Sequence, residues 1–189
     1  PMLSPDKKWT AYIKNYNVWV RSSADEKEYQ LSFDGGTGEY YSSYFRWSPD
    51  SRKLVSCKVK PAEKHIIHFI ESSPADQLQP KYHSWEYPKP GDAVPQFYPQ
   101  LFDITQLKQL PVDNSGLVNQ YSVNNIPWYK NSSCFTYEYN KRGHQLYQVI
   151  RVDANTGRST VIINETSKTF IDYSGKRIRQ NLEENEEII

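Results

Sequence analysis

Residues 42–59 read SSYFRWSPDSRKLVSCKV, and the fold follows from how this stretch is parsed. At its centre stand Trp47, Ser48, Pro49 and Asp50. Proline presets φ for the first central position of a tight turn, and aspartate accepts hydrogen bonds from backbone N–H groups just beyond it. After the turn the chain alternates. Val55, Cys57 and Val59 fall on one face of a strand and Ser56 and Lys58 on the other, the pattern of a half-buried strand. The same arrangement occurs earlier, where Ser4, Pro5 and Asp6 precede Trp9, Ala11 and Ile13 at alternate positions. Ser4 and Ser48 are 44 residues apart.

The recurrence divides the chain of 189 residues into units of similar plan. The first covers residues 4–45, with strands over 9–14 and 18–20 and a third in which Tyr29, Leu31 and Phe33 alternate. The second covers 46–123 and is lengthened by an excursion over 72–99. The third covers 124–166, where Trp128-Tyr129-Lys130-Asn131 takes the place of the Trp-Ser-Pro-Asp turn. Phe135, Tyr137 and Tyr139 then alternate with polar residues, and turns at Asn140-Lys141-Arg142-Gly143 and Asn155-Thr156-Gly157 make a meander. Residues 167–189 read as the start of a further unit. The acidic run at 183–187 reads as a solvated helix end or a loop, and Ile188-Ile189 as the opening of a strand.

The excursion has its own chemistry. Six prolines lie within its 28 residues, which argues against a central strand. It is too rich in Tyr and Trp for a plain disordered linker. One strand is predicted within it, over 82–87, followed by a rigid turn at Pro88-Lys89-Pro90-Gly91-Asp92. Strand character resumes at 101–104.

Composition sets further bounds. Fifteen Tyr, five Trp and seven Phe against one Met favour strands over helices. A net charge of +1 offers no electrostatic argument for nucleic acid. There is no apolar run long enough to span a membrane as a helix, and no signal peptide is visible. The opening at Pro1-Met2, straight into a turn and strand, looks like a cut from something longer. Cys57 and Cys134 fall in different predicted strands. Two cysteines make no disulfide framework, and the reading favours free, buried thiols. The triplets at Asn131 and Asn164 match the glycosylation pattern, which arises often by chance.

Two local patterns invite chemistry. Gly35-Gly36-Thr37-Gly38 could be read as a phosphate cradle, but it lacks the downstream Gly-Lys-Ser/Thr and a following helix. It reads instead as a flexible inter-strand turn whose glycines take positive φ. His65 and His68 lie in a predicted strand, and their odd separation puts them on opposite faces, which argues against a shared metal. No metal site and no cofactor are predicted.

Strand, turn and strand repeated over about 40 residues is the plan of a four-stranded propeller blade. The expected fold is all-β: a partial β-propeller of about three antiparallel blades, cut from a larger ring. A β-sandwich competes, but it does not require the 44-residue recurrence.

At this point the residues resemble a known family. Ser4-Pro5-Asp6-Lys7-Lys8-Trp9 and Trp47-Ser48-Pro49-Asp50-Ser51 are similar to blade starts in the N-terminal propeller of dipeptidyl peptidase IV, in the prolyl oligopeptidase superfamily of serine peptidases. Tyr87-Pro88-Lys89-Pro90-Gly91-Asp92-Ala93-Val94-Pro95 is the most specific match, and the stretch from His144-Gln145-Leu146-Tyr147 to Thr156-Gly157 is similar too. The resemblance is closest to bacterial members and weakest from Asp172 onward. It implies an eight-bladed propeller capping an α/β-hydrolase domain, gating access and helping to anchor the substrate's amino terminus. It also implies a periplasmic or extracellular setting. The implied partners are the C-terminal hydrolase domain of the parent chain, a peptide substrate and a second copy of the parent in a homodimer.

The chain itself contains no Gly-x-Ser-x-Gly, so no catalytic residue is assigned and this piece is expected to be inert. In the family, two adjacent glutamates before the Trp-Ser-Pro turn bind the substrate ammonium. Here the corresponding stretch is Gly38-Glu39-Tyr40-Tyr41-Ser42-Ser43, and only Glu39 is acidic. Glu39 is the candidate substrate-binding residue, against the plain reading of a solvated loop glutamate, and its missing partner puts dipeptide-releasing specificity in doubt. Two other functions stay open: a stand-alone propeller binding protein or glycan through exposed aromatics, and a propeller glycosidase with carboxylates converging from different blades.

Overall fold

The computed structural model describes residues 1–172 and the backbone of 181–182 and 187–188. The chain forms two compact units, one of Pro1–Lys60 with Gln96–Ile189 and one of Pro61–Pro95. The larger unit, the body, is built from antiparallel sheets. The first holds β1 (Met2–Leu3), β2 (Trp9–Lys14), β3 (Asn17–Ser22) and β4 (Glu28–Gln30), paired in that order. The second begins with β5 (Tyr40–Tyr41), β6 (Arg46–Trp47) and β7 (Lys53–Lys60). The smaller unit then contributes a hairpin of its own, β8 (Ile66–Glu71) with β9 (Lys81–Glu86). The second sheet resumes with β10 (Gln96–Asp103) and β11 (Lys108–Leu110), in the order β11-β10-β7-β5 with β6 also paired to β7. The third holds β12 (Gln120–Asn124), β13 (Cys134–Lys141), β14 (Leu146–Asp153) and β15 (Ser159–Thr166). Asn181–Leu182 pairs antiparallel with Glu187–Ile188. The helix-or-loop reading of the acidic run lies largely outside the described residues.

The recurring turn is one structure built three times. Ser4, Ser48 and Tyr129 each accept at the carbonyl from the N–H three residues on, at 2.9 Å in every case. The residue that donates is left-handed each time: Lys7 at φ 63°, Ser51 at 62° and Ser132 at 60°. A type I turn followed by one left-handed residue reverses a strand pair, at a steric cost of about 1–2 kcal/mol for a residue with a Cβ. The acidic or amide side chain offsets that cost. Oδ1 of Asp6, Asp50 and Asn131 accepts from the N–H two residues on, at 3.1, 3.1 and 3.0 Å.

The left-handed serines also join successive sheets. Asp6 N–H donates to Ser51 Oγ at 3.0 Å, and Asp50 N–H donates to Ser132 Oγ at 3.1 Å. The tryptophans do likewise: Trp47 Nε1 donates to the Met2 carbonyl at 3.2 Å and Trp128 Nε1 to the Arg46 carbonyl at 3.0 Å. Each turn is therefore tied to the turn of the sheet before it. This explains why Trp128-Tyr129-Lys130-Asn131 serves in place of Trp-Ser-Pro-Asp: the indole, the turn and the serine hydroxyl are all retained.

Packing departs from the half-buried reading of β7. Its residues 54–57 are all buried, Ser56 among them with no exposure. Leu54 belongs to the core shared with the first sheet, alongside Ala11, Val20 and Trp47. Val55 and Cys57 belong to the core shared with the third, alongside Phe135, Tyr137 and Val152. The second sheet is the middle layer of three, so both faces of β7 are covered. Ser56 is tolerated there because its hydroxyl donates to the Ser42 carbonyl at 2.8 Å.

Three further details differ from expectation. The strand containing Tyr29 stops at Gln30, and Phe33 is 78% exposed. Ser32 Oγ takes the Val18 N–H at 2.9 Å and donates to Asn17 Oδ1 at 3.0 Å, so a side chain replaces the ladder there. β10 begins at Gln96, not at 101, and carries Pro99 in its interior. Pro99 faces Cys57, whose carbonyl is turned away to the Ser42 N–H, so the pair needs no donor from proline. On its other side β11 reaches only Leu101, and the Pro99 carbonyl accepts from Asn114 Nδ2 at 3.0 Å. Finally, β12 gives the third unit the fourth strand that periodicity did not show, with a register shift between Gln120 and Ser122 that blurs its alternation.

The smaller unit opens at Pro61, ahead of the excursion expected over 72–99, and takes in the strand predicted around His65 and His68, observed as β8 and paired along its full length to β9. The turn after it is as predicted: Asp92 N–H donates to the Lys89 carbonyl at 3.0 Å, and Gly91 is at φ 101°.

Candidate functional site

Glu39 lies just before β5, on the loop that enters the second sheet. Its carboxylate is about half exposed and stands 3.3 Å from Lys58 Nζ. Lys58 projects from β7, opposite Tyr41 in β5. Asp34, at the start of the same loop, approaches the same ammonium at 2.7 Å. A second carboxylate thus stands beside Glu39 in space, although none adjoins it in sequence.

The cluster is braced from below. Tyr41 OH donates to Asp34 Oδ1 at 2.8 Å and accepts from Gln109 Nε2 at 3.2 Å, and Gln109 donates to Gln100 at 2.8 Å. Burial works to raise the pKa of Asp34, but hydrogen bonds from Lys58 and Tyr41 and the Lys58 charge outweigh it and hold the carboxyl below its ordinary value. The Asp34 hydrogen bond raises the pKa of Lys58 against the opposing effect of burial, and Glu39 adds to it. Burial, then the Asp34 acceptor, pushes the Tyr41 phenol up. All three groups keep their neutral-pH charge state, so the arrangement can hold an ammonium but has no group poised to exchange protons.

Sequence reasoning singled out Glu39 and missed Asp34, Lys58 and Tyr41 as its neighbours. Asp34 and Lys58 are 24 residues apart, and no spacing rule relates a loop carboxylate to a strand lysine. The available signal was modest: Lys58 falls on the polar face of an otherwise apolar strand.

The glycine loop is an inter-strand turn, but its conformation is not the one expected. None of Gly35, Gly36 and Gly38 has positive φ. Gly35 is needed for space instead, because a Cβ there would lie 2.2 Å from the Tyr16 carbonyl oxygen. Its N–H donates to Asn17 Oδ1 at 2.9 Å and that of Gly36 to the Glu39 carbonyl at 2.6 Å, which leaves neither aimed at a phosphate.

The histidines are dispersed. His68 stacks on Tyr82 and shares a hydrogen bond with its hydroxyl, and His65 approaches Asp92 at 3.9 Å, so the two do not converge. Both are exposed rather than packed. Among the described residues no three His, Cys, Asp or Glu side chains are placed to hold a metal ion. Cys57 and Cys134 are buried and not joined in a disulfide, and burial pushes the Cys57 thiol up to about 12 against the opposing charge of Arg46. A thiol so protonated is a packing residue.

Two hollows in the body lie apart from Glu39. An apolar cavity of about 250 Å³ is lined by Tyr44, Cys57, Phe97, Val123 and Ile126. An open polar hollow of about 540 Å³ is lined by Arg151, Asp153, Thr156 and Arg158 of the third sheet with Ser133 and Cys134.

The family described as dipeptidyl peptidase IV (DPP IV) N-terminal region matches residues 1–188. The crystal structure of Porphyromonas gingivalis dipeptidyl peptidase 4 is similar over 91% of this chain and 26% of its own, at 16% identity and a TM-score of 0.62. That of a Bacteroides ovatus protein described as a dipeptidyl aminopeptidase IV is similar over 91% of this chain and 24% of its own, at 14% identity and a TM-score of 0.64. At these identities the likeness establishes the fold: a partial β-propeller, its four-stranded antiparallel sheets being blades. The chain spans about a quarter of the length of the structures it matches. No curated protein matches it.

Proposed function

Because this chain belongs to the dipeptidyl peptidase IV N-terminal region family, we propose that it is the non-catalytic propeller portion of a dipeptidyl peptidase IV-like serine exopeptidase. In this reading the blades restrict access to the active site, and Glu39 helps to anchor the peptide's amino terminus. The partners are the C-terminal α/β-hydrolase domain of the parent, which carries the serine nucleophile, the peptide substrate and a second copy of the parent. The setting is periplasmic or extracellular. One observation carries the reading: the family match runs along residues 1–188, while the chain covers only about a quarter of the structures it resembles.

The anchoring role draws support from the geometry at Glu39. An open carboxylate at the entry to a blade, with Asp34 converging on the same ammonium, has the charge and acceptor count to hold a protonated amine. The experiment has two parts. The parent gene downstream of Ile189 should encode Gly-x-Ser-x-Gly followed by Asp and His; an early stop codon would defeat the peptidase reading. In the full-length parent, Glu39→Gln should raise KM for peptides with a free amino terminus and leave blocked peptides unchanged. Equal effects on both would remove Glu39 from the site.

A stand-alone module binding protein or glycan is the second reading. It is favoured by Tyr82, Trp85 and Tyr87, which are 65%, 50% and 51% exposed within a few residues of one another. The early stop codon is the outcome that would select it.

A further inference from the structure

Lys58 is the covered member of its cluster. Its side chain is 18% exposed, against 48% for Glu39 and 59% for Asp34. The cation is thus largely enclosed and the two acids open outward, the reverse of a surface ion pair in which a lysine reaches out to solvent. Strand pairing fixes the lysine backbone, since Tyr41 and Lys58 are partners in the β5–β7 ladder. The Asp34 carboxylate is fixed in turn by the Tyr41 hydroxyl at 2.8 Å. A primary ammonium with three donors therefore rests between two carboxylates, one of which is the residue read above as the amine anchor.

We propose that Lys58 is an intramolecular occupant of that anchor and sets its specificity: a peptide's α-ammonium gains Glu39 only by displacing the lysine. The inference rests on the anchoring role of Glu39. The chemistry of the two ligands is matched, since each is a primary ammonium presenting N–H donors to carboxylate oxygens. The competition is unequal. Lysine is tethered, and a tethered group acts at an effective concentration in the millimolar range or above. Its reference pKa of about 10.4 also keeps it charged where an α-amino group, near 8, begins to lose its proton. Apparent affinity for a free amino terminus is lowered by the fraction of chains in which the lysine is seated. Such a protein discriminates weakly between free and blocked amino termini, although it possesses an acidic anchor.

The test measures binding in the full-length parent by calorimetry, with Ala-Ala-Ala amide and its N-acetyl form as probes. Lys58→Met should tighten binding of the free-amine peptide about tenfold, as expected if the lysine is seated about nine-tenths of the time. It should leave the acetylated form unchanged. Adding Glu39→Gln should abolish the gain. Lys58→Gln serves as a second neutral variant with the same expected outcome, and Lys58→Arg should keep wild-type affinity. If Glu39→Gln weakens only the free-amine peptide while neither neutral variant tightens it, the anchor stands and the proposal for Lys58 falls. If no variant separates the two peptides, the anchoring role falls and the proposal with it.

Discussion

Two hairpins of this chain are alike in sequence character and opposite in environment. β13–β14 and β8–β9 are both antiparallel, both carry several aromatic residues, and both pair along most of their length. In the first, Phe135, Tyr137 and Tyr139 are at most 1% exposed. In the second, Phe69, Trp85, Tyr82 and Ile70 are 38%, 50%, 65% and 67% exposed. Strand propensity is therefore satisfied in both, and what differs is how far the aromatic side chains are buried. The blade hairpin is held by burial, worth about 1.5–3 kcal/mol for a large apolar side chain. The exposed hairpin is held by its own cross-strand contacts. Phe69 stacks on His83 at 4.9 Å and meets Trp85 edge-on at 4.4 Å, and Glu86 pairs with Lys64 at 3.1 Å. Such pairs contribute about 0.2–1 kcal/mol each.

Mutations placed in the two hairpins should separate these regimes. The largest effect is expected from Phe135→Ala, which opens a cavity in the core shared by the second and third blades. It should cost about 3–5 kcal/mol in denaturant unfolding. A loss below about 1 kcal/mol would mean that the blade interface contributes little beyond the strands themselves. Gly157→Ala comes next. The residue is at φ 70°, and a Cβ there would meet the Pro111 carbonyl oxygen at 1.7 Å. The cost should exceed about 2 kcal/mol, above the left-handed penalty alone.

Smaller effects probe the ties between blades. Ser132→Ala removes the acceptor for Asp50 N–H and should cost about 1 kcal/mol. The corresponding Ser51→Ala, which frees Asp6 N–H, should cost a similar amount. Unequal costs would show that one tie is idle.

Acid should act on the blade turns. Burial works to raise the Asp103 pKa, but hydrogen bonds from Thr105, the Gln106 N–H and Lys53, together with the Lys53 charge, hold it below the ordinary carboxylate value. A folded-state pKa below the unfolded one gives stability that is present above about pH 4 and lost as pH falls through the folded value. The melting temperature should therefore drop on acidification below about pH 4. Asp103→Asn should be less stable at neutral pH and show a shallower acid limb. The smallest global effect is reserved for Phe69→Ala, at less than about 1 kcal/mol. Its signature should be faster hydrogen exchange confined to residues 66–71 and 81–86, with the melting of the body unchanged. A cooperative shift of the whole transition would overturn the contrast between the hairpins.

The candidate site shows where sequence reading stops. Glu39 was reached through a family pattern, not through spacing. Its neighbours Asp34 and Lys58 come from a loop and from β7, and only the β5–β7 ladder brings them together. Proline proved a poor guide at one position. Pro99 was grounds for excluding a strand, yet it sits in β10 because a non-hydrogen-bonded pair position asks for no donor from it. Glycine misled in the opposite way: the Gly35 loop needs room beside Tyr16, not left-handed φ.

The amino-acid order alone determined most of the strands, the recurring blade turn and the blade repeat. These depend on local sterics: alternation of side chains, φ preset by proline, and aspartate oxygens capping the next N–H groups. Tertiary structure alone decided which faces are dry and which charges meet. β7 reads as half-buried, yet it is covered on both sides because sheets from distant stretches stack against each of its faces. β8–β9 carries aromatic and apolar residues too, yet much of their surface is exposed. Burial and ion pairing are properties of neighbours in space, and a chain folded into successive sheets takes those neighbours from positions that no local period relates.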